Sequence, residues 1–322
     1  MNLKKKNVLV AGGTGLVGAN LTRRLAELGA CVKSTYLTRR PLGLGAEWKK
    51  ADFTDMDDCL EATKGMDIVC IAAAFTLGAK VVAEQPTAFV LPNLKINCGL
   101  FEACRINRVE RTVFISSSTV YQVADYPIAE DQLDLNQPPF ELYLGSAWMK
   151  RYCETVADFY KERYKMKIGI ARPANLYGPY DKFDQERAHV LPALITRALG
   201  KETPFVVWGD GLAVRDFIYV EDFVDCLIDI MQKACDGDPI NVATGQSITT
   251  GEAARVILEI CGHHVQPQFD ATKPNAIPYR MLDISKLERV LGRRQWTPFK
   301  KGISQTVQWA KSQEQRLVEA NR

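Results

Sequence analysis

The sequence predicts an α/β fold, with a doubly wound parallel sheet followed by a smaller C-terminal domain. Short apolar runs alternate with segments of helical spacing through the first half, which is typical of parallel strands covered by helices on both faces. A glycine-rich turn joins the first run to the first helical segment. After residue 172, loops lengthen and proline, glycine and tryptophan become more frequent, so we expect domains at 1–172 and 173–322.

Each element follows from its own pattern. Short apolar runs predict strands at 7–11, 31–37, 67–72, 112–115 and 166–171. Apolar residues three and four apart predict helices at 16–28, 87–107, 220–231 and 302–318. Thr249 and Glu252 form a capping-box pattern at the start of another helix. One apolar segment of the second half, 240–243, is a candidate to return to the sheet.

Composition excludes several classes of protein. The 322 residues carry 41 Lys and Arg against 38 Asp and Glu, and this net charge of +3 is too small to indicate a nucleic-acid or anionic-membrane partner. The longest apolar run, 68–75, is far shorter than the ~20 residues of a spanning helix, and no signal peptide is expected. Nine scattered cysteines without a CxxC pair indicate a cytoplasmic protein with reduced thiols, and three histidines disfavour a zinc site.

The glycine-rich turn predicts a dinucleotide site. Gly12, Gly15 and Gly18 are spaced GxxGxxG around Leu16 and Val17, after a strand and at the start of a helix. Glycines let the backbone approach a pyrophosphate, and the helix N-terminus supplies free N–H groups and a positive dipole. This arrangement is typical of the Rossmann fold.

The segment after the second predicted strand indicates which dinucleotide binds. Residues 32–41 contain no acidic side chain, which is the group that would bind the ribose hydroxyls of NAD. Arg39 and Arg40 stand there instead, and their charges suit the 2′-phosphate of NADP(H). We therefore expect NADP(H), with NAD as the alternative.

Several segments resemble the extended short-chain dehydrogenase/reductase family, in its NAD-dependent epimerase/dehydratase group. They are GGTGLVG from residue 12, AAA from 72, FISSSTVY from 114, PANLYGPY from 173 and WGDGLAVRDF from 208. The likeness is greatest to the GDP-L-fucose synthases of that family. It implies a nucleotide-sugar substrate held by the C-terminal domain, a homodimer through helices at 87–107 and 147–163, and cofactor contacts from Asp52, Phe53 and Ala72.

Three residues assigned by this resemblance bear on the reaction type. Ser117 occupies the position of the family's catalytic serine, which would hydrogen bond to the C4 oxygen of the sugar. Thr119 stands where fucose synthases carry a cysteine base, and His189 matches their histidine acid. Because threonine is a poor base for a proton next to a ketone, C4 reduction is favoured over epimerisation. Dehydration is disfavoured because Ser118 and Thr119 replace the Asp-Glu pair of the dehydratases.

The family's catalytic Tyr-x-x-x-Lys motif is altered in this chain. In one register, Tyr143 is the tyrosine and Ala147 replaces the lysine. In the other, Lys150 is the lysine and Ser146 replaces the tyrosine. We prefer the second register, because it gives Lys150-x-x-x-Glu154, the family's usual continuation, and needs no insertion in the helix.

The serine at position 146 matters because the family's lysine lowers the pKa of its tyrosine, and a serine hydroxyl is shorter and less acidic. Loss of a positioned acid or base costs about 10²–10⁴ in rate. Three explanations stand. Serine could replace a native tyrosine, as in an inactivated variant; Ser146 could act through a water molecule; or Tyr143 could supply the phenol.

The resemblance assigns the nucleotide-sugar site to five residues. They are Asn175, Leu191, Trp208, Arg215 and Arg280, the arginines neutralising a diphosphate. The expected reaction is hydride transfer from NADPH to C4 of a GDP-4-keto-sugar. Two alternatives stay open, an epimerase with tightly held NAD and a catalytically weak protein that binds cofactor or sugar nucleotide.

Overall fold

The computed structural model describes residues 2–39, 41–75, 87–184, 188–272 and 277–320, with only the helical backbone described for 314–320. Its strands, in chain order, are β1 Asn7–Ala11, β2 Cys31–Tyr36, β3 Glu47–Lys50, β4 Ile68–Ile71, β5 Arg111–Ile115, β6 Ile168–Pro173, β7 Asn175–Tyr177, β8 Val206–Trp208, β9 Val214–Arg215, β10 Phe217–Tyr219, β11 Ile240–Val242, β12 Ile248–Thr249, β13 Gln268–Asp270 and β14 Tyr279–Arg280. Its helices are α1 Leu16–Glu27, α2 Met56–Thr63, α3 Val90–Ile106, α4 Leu144–Tyr164, α5 Val190–Leu199, α6 Val220–Lys233, α7 Thr250–Ile260, α8 Ser285–Leu291 and α9 Phe299–Ala320.

The central sheet has seven parallel strands in the order β11-β6-β5-β4-β1-β2-β3. The chain runs outward from β1 through β2 to β3, and then crosses back to place β4 on the other side of β1. The direction of winding therefore reverses between β1 and β4, and ligands bind at such a reversal in open α/β sheets. The predicted doubly wound Rossmann sheet is confirmed.

Helices cover both faces of this sheet. Side chains alternate along β1, so Val8 and Val10 pack with α1 and α6 on one face, whereas Leu9 and Ala11 pack with α2, α3 and α4 on the other. All four side chains are fully buried. A strand buried on both faces has to be apolar at every position, which is why the predicted strand runs were continuous rather than alternating.

Two elements of the N-terminal half carry no strong sequence signal. Strand β3 has the sequence EWKK and lies at the edge of the sheet, where exposed polar side chains are tolerated. Helix α2 is short, with Asp55 accepting a hydrogen bond from the Asp57 amide as its N-cap. Both elements form because tertiary packing compensates for weak local preference.

The second half of the chain divides between the sheet and a smaller cluster. Strand β11 is the outermost strand of the sheet and α6 packs against its face. Helices α5, α7 and α9 enclose a separate core around Leu194, Phe205 and Ile257, beside short sheets of two or three strands. The capping box at Thr249 begins α7 as expected. The division into domains at residue 172 stays a prediction.

No helix in the described part of the chain is long and apolar enough to cross a membrane.

Candidate active site

The predicted site residues follow successive strands at one edge of the sheet. Because carboxyl ends of parallel strands meet at the same edge, these residues are brought together although they are far apart in sequence. In order, they are the glycine loop after β1, Arg39 after β2, Asp52 and Phe53 after β3, Ala72 after β4, Ser117 and Thr119 after β5, and Asn175 after β6.

The glycine loop is packed so closely that a side chain would clash at Gly12, Gly13 and Gly18. Gly12 has a φ of +86°, and a Cβ there would lie 2.6 Å from the Cα of Ala73, in the segment after β4. A Cβ on Gly18 would lie 2.1 Å from the carbonyl oxygen of Gly12. Gly15 is different, since the nearest atom to a Cβ there is 3.7 Å away. Gly12 and Gly18 therefore shape the turn, and Gly15 leaves open space where a ligand can approach.

Helix α1 turns an uncapped N-terminus towards this loop. Gly15 is the N-cap without a side-chain hydrogen bond, Leu16 and Val17 begin the helix, and no acidic residue lies in its first turn. The first N–H groups of a helix lack intrahelical partners and carry positive dipole. An anionic pyrophosphate fits this end of the helix.

The second strand supports and flanks the loop. Thr35 accepts hydrogen bonds from the amides of Gly12, at 2.9 Å through Oγ1, and Gly13, at 2.8 Å through its carbonyl oxygen. The Arg39 guanidinium donates to the carbonyl oxygen of Thr14 at 3.3 Å, so its charge lies beside the glycine loop. Arg40 lies outside the described residues.

Two hydroxyls and an ammonium meet at the end of β5. Ser117 accepts hydrogen bonds from Thr119, at 3.1 Å from the amide and 2.9 Å from Oγ1. Lys150, on α4, donates to the carbonyl oxygen of Ile115 at 2.7 Å and lies 4.6 Å from the ring centroid of Phe114. Burial lowers the pKa of Lys150 to about 8, because the charged form loses hydration.

Ser146 and Tyr143 lie at the start of the same helix. Ser146 is one turn before Lys150 and therefore shares its helix face. Its hydroxyl donates to the carbonyl oxygen of Tyr143 at 3.0 Å. Tyr143 is the N-cap, and its ring faces Arg280, whose guanidinium carbon is 5.3 Å from the ring centroid. No hydrogen bond between described residues joins the Tyr143 hydroxyl to Ser117 or Lys150.

Arg280 and Arg215 form the cationic side of the site. They lie on the paired strands β14 and β9, and Arg280 donates a hydrogen bond to Oδ1 of Asn175 at 2.5 Å. Arg215 is 5% exposed and donates to the carbonyl oxygen of Val214. Neither arginine forms an ion pair with a carboxylate in the described part of the chain.

These two guanidinium groups are largely buried and have no carboxylate partner among the described residues. The Nε and Nη1 atoms of Arg280 are buried and have no hydrogen-bond partner. Burial lowers the pKa of Arg280, and burial together with the charge of Arg280 lowers the pKa of Arg215 to about 10. Buried charges in proteins are normally paired, so a cationic pair without a carboxylate partner is a candidate anion site. Two neighbouring guanidinium groups, one of them with unpartnered donors, suit a diphosphate.

A family model for the NAD dependent epimerase/dehydratase family matches residues 8–243, from β1 through β11. The chain belongs to that family. The match spans the glycine loop, the Ser117 turn, Lys150 and Arg215.

Relatives within the NAD dependent epimerase/dehydratase family include reductases of sugar nucleotides. The chain is 31% identical to GDP-L-fucose synthase of Escherichia coli, over 95% of this chain and 97% of the relative. It is 27% identical to dTDP-4-dehydro-6-deoxy-D-allose reductase of a Streptomyces species, over 94% and 96%. The structure of a GDP-L-fucose synthetase from Naegleria fowleri bound to NADP superposes with a TM-score of 0.83, at 25% identity over 97% and 96% of the two chains.

Other residues that the family resemblance assigned are spread more widely. Trp208 ends β8 and is 57% exposed. Leu191 is 3% exposed and packs in the core around Leu194, so the structure does not bring it to the arginines. Asp52 accepts hydrogen bonds from the amide and hydroxyl of Thr54, and these lower its pKa. Phe53 is buried in the core on the α3 face of the sheet.

His189 has a neighbour that sequence reasoning missed. It is the exposed N-cap of α5 and interacts electrostatically with Asp181, a buried carboxyl whose Oδ2 atom has no hydrogen-bond partner. Burial raises the pKa of Asp181, whereas the charges of His189 and Arg39 oppose that rise. The only sequence signal for Asp181 was its place in the segment that resembles the family from 173 onward.

Proposed function

We propose that the chain is an NADPH-dependent reductase of the C4 ketone of a GDP-4-keto-sugar. The observation that carries this proposal is the pair of arginines beside Asn175 that have no carboxylate partner among the described residues, with two buried donors of Arg280 unpartnered, which suits the diphosphate of a nucleotide sugar. Arg280 and Ser118, next to the catalytic serine position, line one small cavity, so the arginine side of the site lies close to the Ser117 turn.

NADP(H) fits the other side of the site. The glycine loop and the start of α1 would hold the pyrophosphate, Arg39 the 2′-phosphate and Lys150 the nicotinamide ribose. The cofactor, when bound, supplies the hydride. The preference for NADP(H) over NAD is supported by the guanidinium beside Thr14.

The chain's own residues then act on the sugar. The Ser117 hydroxyl donates a hydrogen bond to the C4 oxygen, where negative charge develops, and Thr119 donates in turn to Ser117. The Lys150 ammonium keeps the site positive while its pKa of about 8 holds it charged at neutral pH. Ser146 is too short to protonate the oxygen directly, so a water molecule completes the proton path at reduced rate.

Reduction without epimerisation is the form of the reaction we propose. Thr119 lacks the acidity of a thiol and therefore makes a poor base at carbon. The Streptomyces relative is a reductase of a 4-dehydro sugar nucleotide by name, which supports the same chemistry here. His189, exposed at the start of α5, would assist protonation from the substrate side.

The test is stopped-flow loss of NADPH absorbance on adding GDP-4-keto-6-deoxymannose, for the chain and for its Ser146→Tyr variant. We expect the tyrosine variant to consume NADPH about 10²–10⁴ times faster, because it regains a positioned phenol beside Lys150. The control is Ser146→Phe, which has the ring without the hydroxyl and should stay slow. If neither the chain nor the tyrosine variant consumes NADPH, the reductase proposal fails. Copurified NAD would then favour the epimerase, and its absence a binding protein.

We also propose a homodimer through α3 and α4. Helix α4 exposes a stripe of large apolar side chains, with Leu144 at 44%, Trp148 at 42%, Tyr152 at 56% and Phe159 at 57%. Such a stripe on a monomer would be costly to hydrate, and a second copy of the same helix would cover it. Sedimentation of the chain and of Tyr152→Glu tests this, with the variant expected to be monomeric.

A cytoplasmic location is proposed because all nine cysteines are free.

A further inference from the structure

A buried ion pair lies directly behind the proposed catalytic turn. Glu154 on α4 accepts hydrogen bonds from Arg172 on β6 at 3.1 and 2.7 Å, and it also accepts a short hydrogen bond from the Ser116 hydroxyl. Glu154 is 8% exposed, Arg172 3% and Ser116 4%. Ser116 immediately precedes Ser117, so this carboxylate is tied to the backbone that carries the proposed catalytic hydroxyl.

The ion pair extends into a longer buried polar chain. Arg172 donates at 2.7 Å to the hydroxyl of Tyr121, which donates at 2.6 Å to Oδ1 of Asn241. The amide of Asn241 donates at 3.1 Å to the carbonyl oxygen of Asp283. This series of hydrogen bonds therefore joins α4 to the segment that follows Arg280.

Helix α4 holds two consecutive residues at the end of β5. Lys150 donates to the carbonyl oxygen of Ile115, and Glu154, one turn later on the same face, accepts from the hydroxyl of Ser116. These two contacts fix the distance between the helix and the strand end. An arrangement that needed only burial would be satisfied by apolar side chains, which pack without the desolvation penalty of a buried ion pair.

We propose that Glu154 is a positioning residue, which aligns the Ser116–Ser117 backbone with the Lys150 ammonium through its hydrogen bond to Ser116 and its ion pair with Arg172. This inference rests on the proposed roles of Ser117 and Lys150 but concerns the ligand-free protein. Because Glu154 is buried and bonded to Ser116 and Arg172, we expect it to act through Ser116 and Lys150 and not through direct contact with a ligand.

The charge of Glu154 has a second consequence at Lys150. Two titratable groups act on Lys150, the Cys153 thiol and the Glu154 carboxylate, and both favour its charged form against the effect of burial. The β5 residues in contact with Lys150 contribute a carbonyl group and the Phe114 ring. Removal of the Glu154 charge should therefore make the ammonium less stable.

The first test is NMR titration of Lys150 in the ligand-free chain with lysine labelled at ¹³Cε, its signal identified by its loss in Lys150→Arg. We expect Glu154→Gln to lower the pKa of Lys150 by about one unit, as the loss of a nearby opposite charge does. Glu162→Gln, on the exposed face of the same helix, is the matched control and should leave the Lys150 titration unchanged. An unchanged pKa in Glu154→Gln overturns the role of its charge.

The second test does not disturb the ion pair. Ser116→Ala removes the hydroxyl that binds Glu154, and Ser118→Ala removes a neighbouring buried hydroxyl that has no hydrogen bond to Glu154 in the described structure. We expect amide hydrogen exchange at Thr119 to accelerate about fivefold or more in Ser116→Ala alone, since one hydrogen bond of the turn is lost. Equal exchange in both variants overturns the proposal, even if Glu154→Gln fails to fold. Neither test uses substrate, so both still test the role of Glu154 if the reductase assay fails.

Discussion

The guanidinium carbon of Arg280 lies 5.3 Å from the ring centroid of Tyr143. This contact joins the N-cap of α4 to the arginine that is hydrogen bonded to Asn175. Tyr143 therefore supports the Arg280 guanidinium through its ring. In a Tyr-Lys pair, by contrast, the tyrosine hydroxyl acts as the acid or base. Of the three explanations for Ser146, the one that relies on Tyr143 therefore receives no support from the described contacts.

Substitutions of Tyr143 should separate its ring from its hydroxyl. Tyr143→Phe retains the ring beneath Arg280, so we expect GDP to bind within about twofold of the parent. Tyr143→Ala removes the ring and should weaken GDP binding about fivefold, the lower range for a cation–π contact. Isothermal titration calorimetry measures both. If Tyr143→Phe instead abolishes NADPH consumption in the Ser146→Tyr background, Tyr143 is the proton donor and does not act only as a support for Arg280.

Replacing Arg280 should raise the free energy of unfolding and weaken GDP binding. Arg280→Met removes a buried charge that has no acidic partner among the described residues, so we expect the free energy of unfolding to rise by about 1 kcal/mol in the ligand-free protein. GDP affinity should fall about 10–100-fold, because charge-assisted hydrogen bonds to the diphosphate are lost. Urea unfolding and calorimetry measure the two effects. Arg255→Met, at an exposed position of α7, is the control and should change neither. Unaltered GDP affinity in Arg280→Met would remove the diphosphate site.

Lys150 should make stability depend on pH. Burial lowers its pKa from 10.5 to about 8, so between these values the unfolded chain binds more protons than the folded chain. The contribution of Lys150 to the free energy of unfolding therefore rises as pH increases from about 8 to 10.5, and its penalty is complete below pH 8. We expect Lys150→Met to be more stable than the parent at pH 7, with the difference shrinking by pH 10. Urea unfolding at both pH values checks this, with Lys95→Met, exposed on α3, as the control. A pH-independent difference would contradict the shifted pKa.

Two glycines of the cofactor loop should respond differently to the same methyl group. Gly18→Ala places a Cβ 2.1 Å from the Gly12 carbonyl oxygen and should lower the melting temperature by several degrees. Gly15→Ala places its Cβ 3.7 Å from the nearest atom, at a φ of −88°, and should melt like the parent. It should still bind NADPH more weakly, because the methyl group occupies the pyrophosphate approach. Thermal unfolding and fluorescence titration measure both variants. Normal NADPH affinity in Gly15→Ala would move the pyrophosphate away from this turn.

Arg39 should decide between the two dinucleotides. Arg39→Ala is expected to weaken NADPH binding about 10–100-fold while NADH binding changes little, because only NADPH carries the 2′-phosphate. Arg163→Ala, at an exposed position of α4, is the control for a general loss of positive charge. Fluorescence titration with both cofactors gives the ratio. An equal loss for NADPH and NADH would assign Arg39 to the pyrophosphate turn instead.

Much of the N-terminal half was predictable because its signals are local. Strand β1 and the start of α1 fall where the apolar run and the glycines predict them, since a doubly buried strand needs continuous apolar residues and a tight turn needs glycine. Edge strand β3 was missed because its polar sequence is stabilised only by pairing with β2. The sequence did not predict the order of the strands, because that order depends on pairing between segments that are distant in the chain.

The candidate site also has a part that the sequence predicted and a part that only the fold shows. Short motifs and the family resemblance were enough to predict the chemical groups, namely the glycine loop, Ser117, the Ser146 replacement and Lys150, because each belongs to a motif with fixed spacing. The partners of these groups became visible only in the folded chain. Arg280 is 105 residues from Asn175 and 137 from Tyr143, and the three meet because strand β14 pairs with β9 beside the carboxyl edge of the sheet. Whether a buried charge lacks a partner depends on every segment that packs around it. Those segments are distant in sequence, so a sequence motif cannot predict that environment.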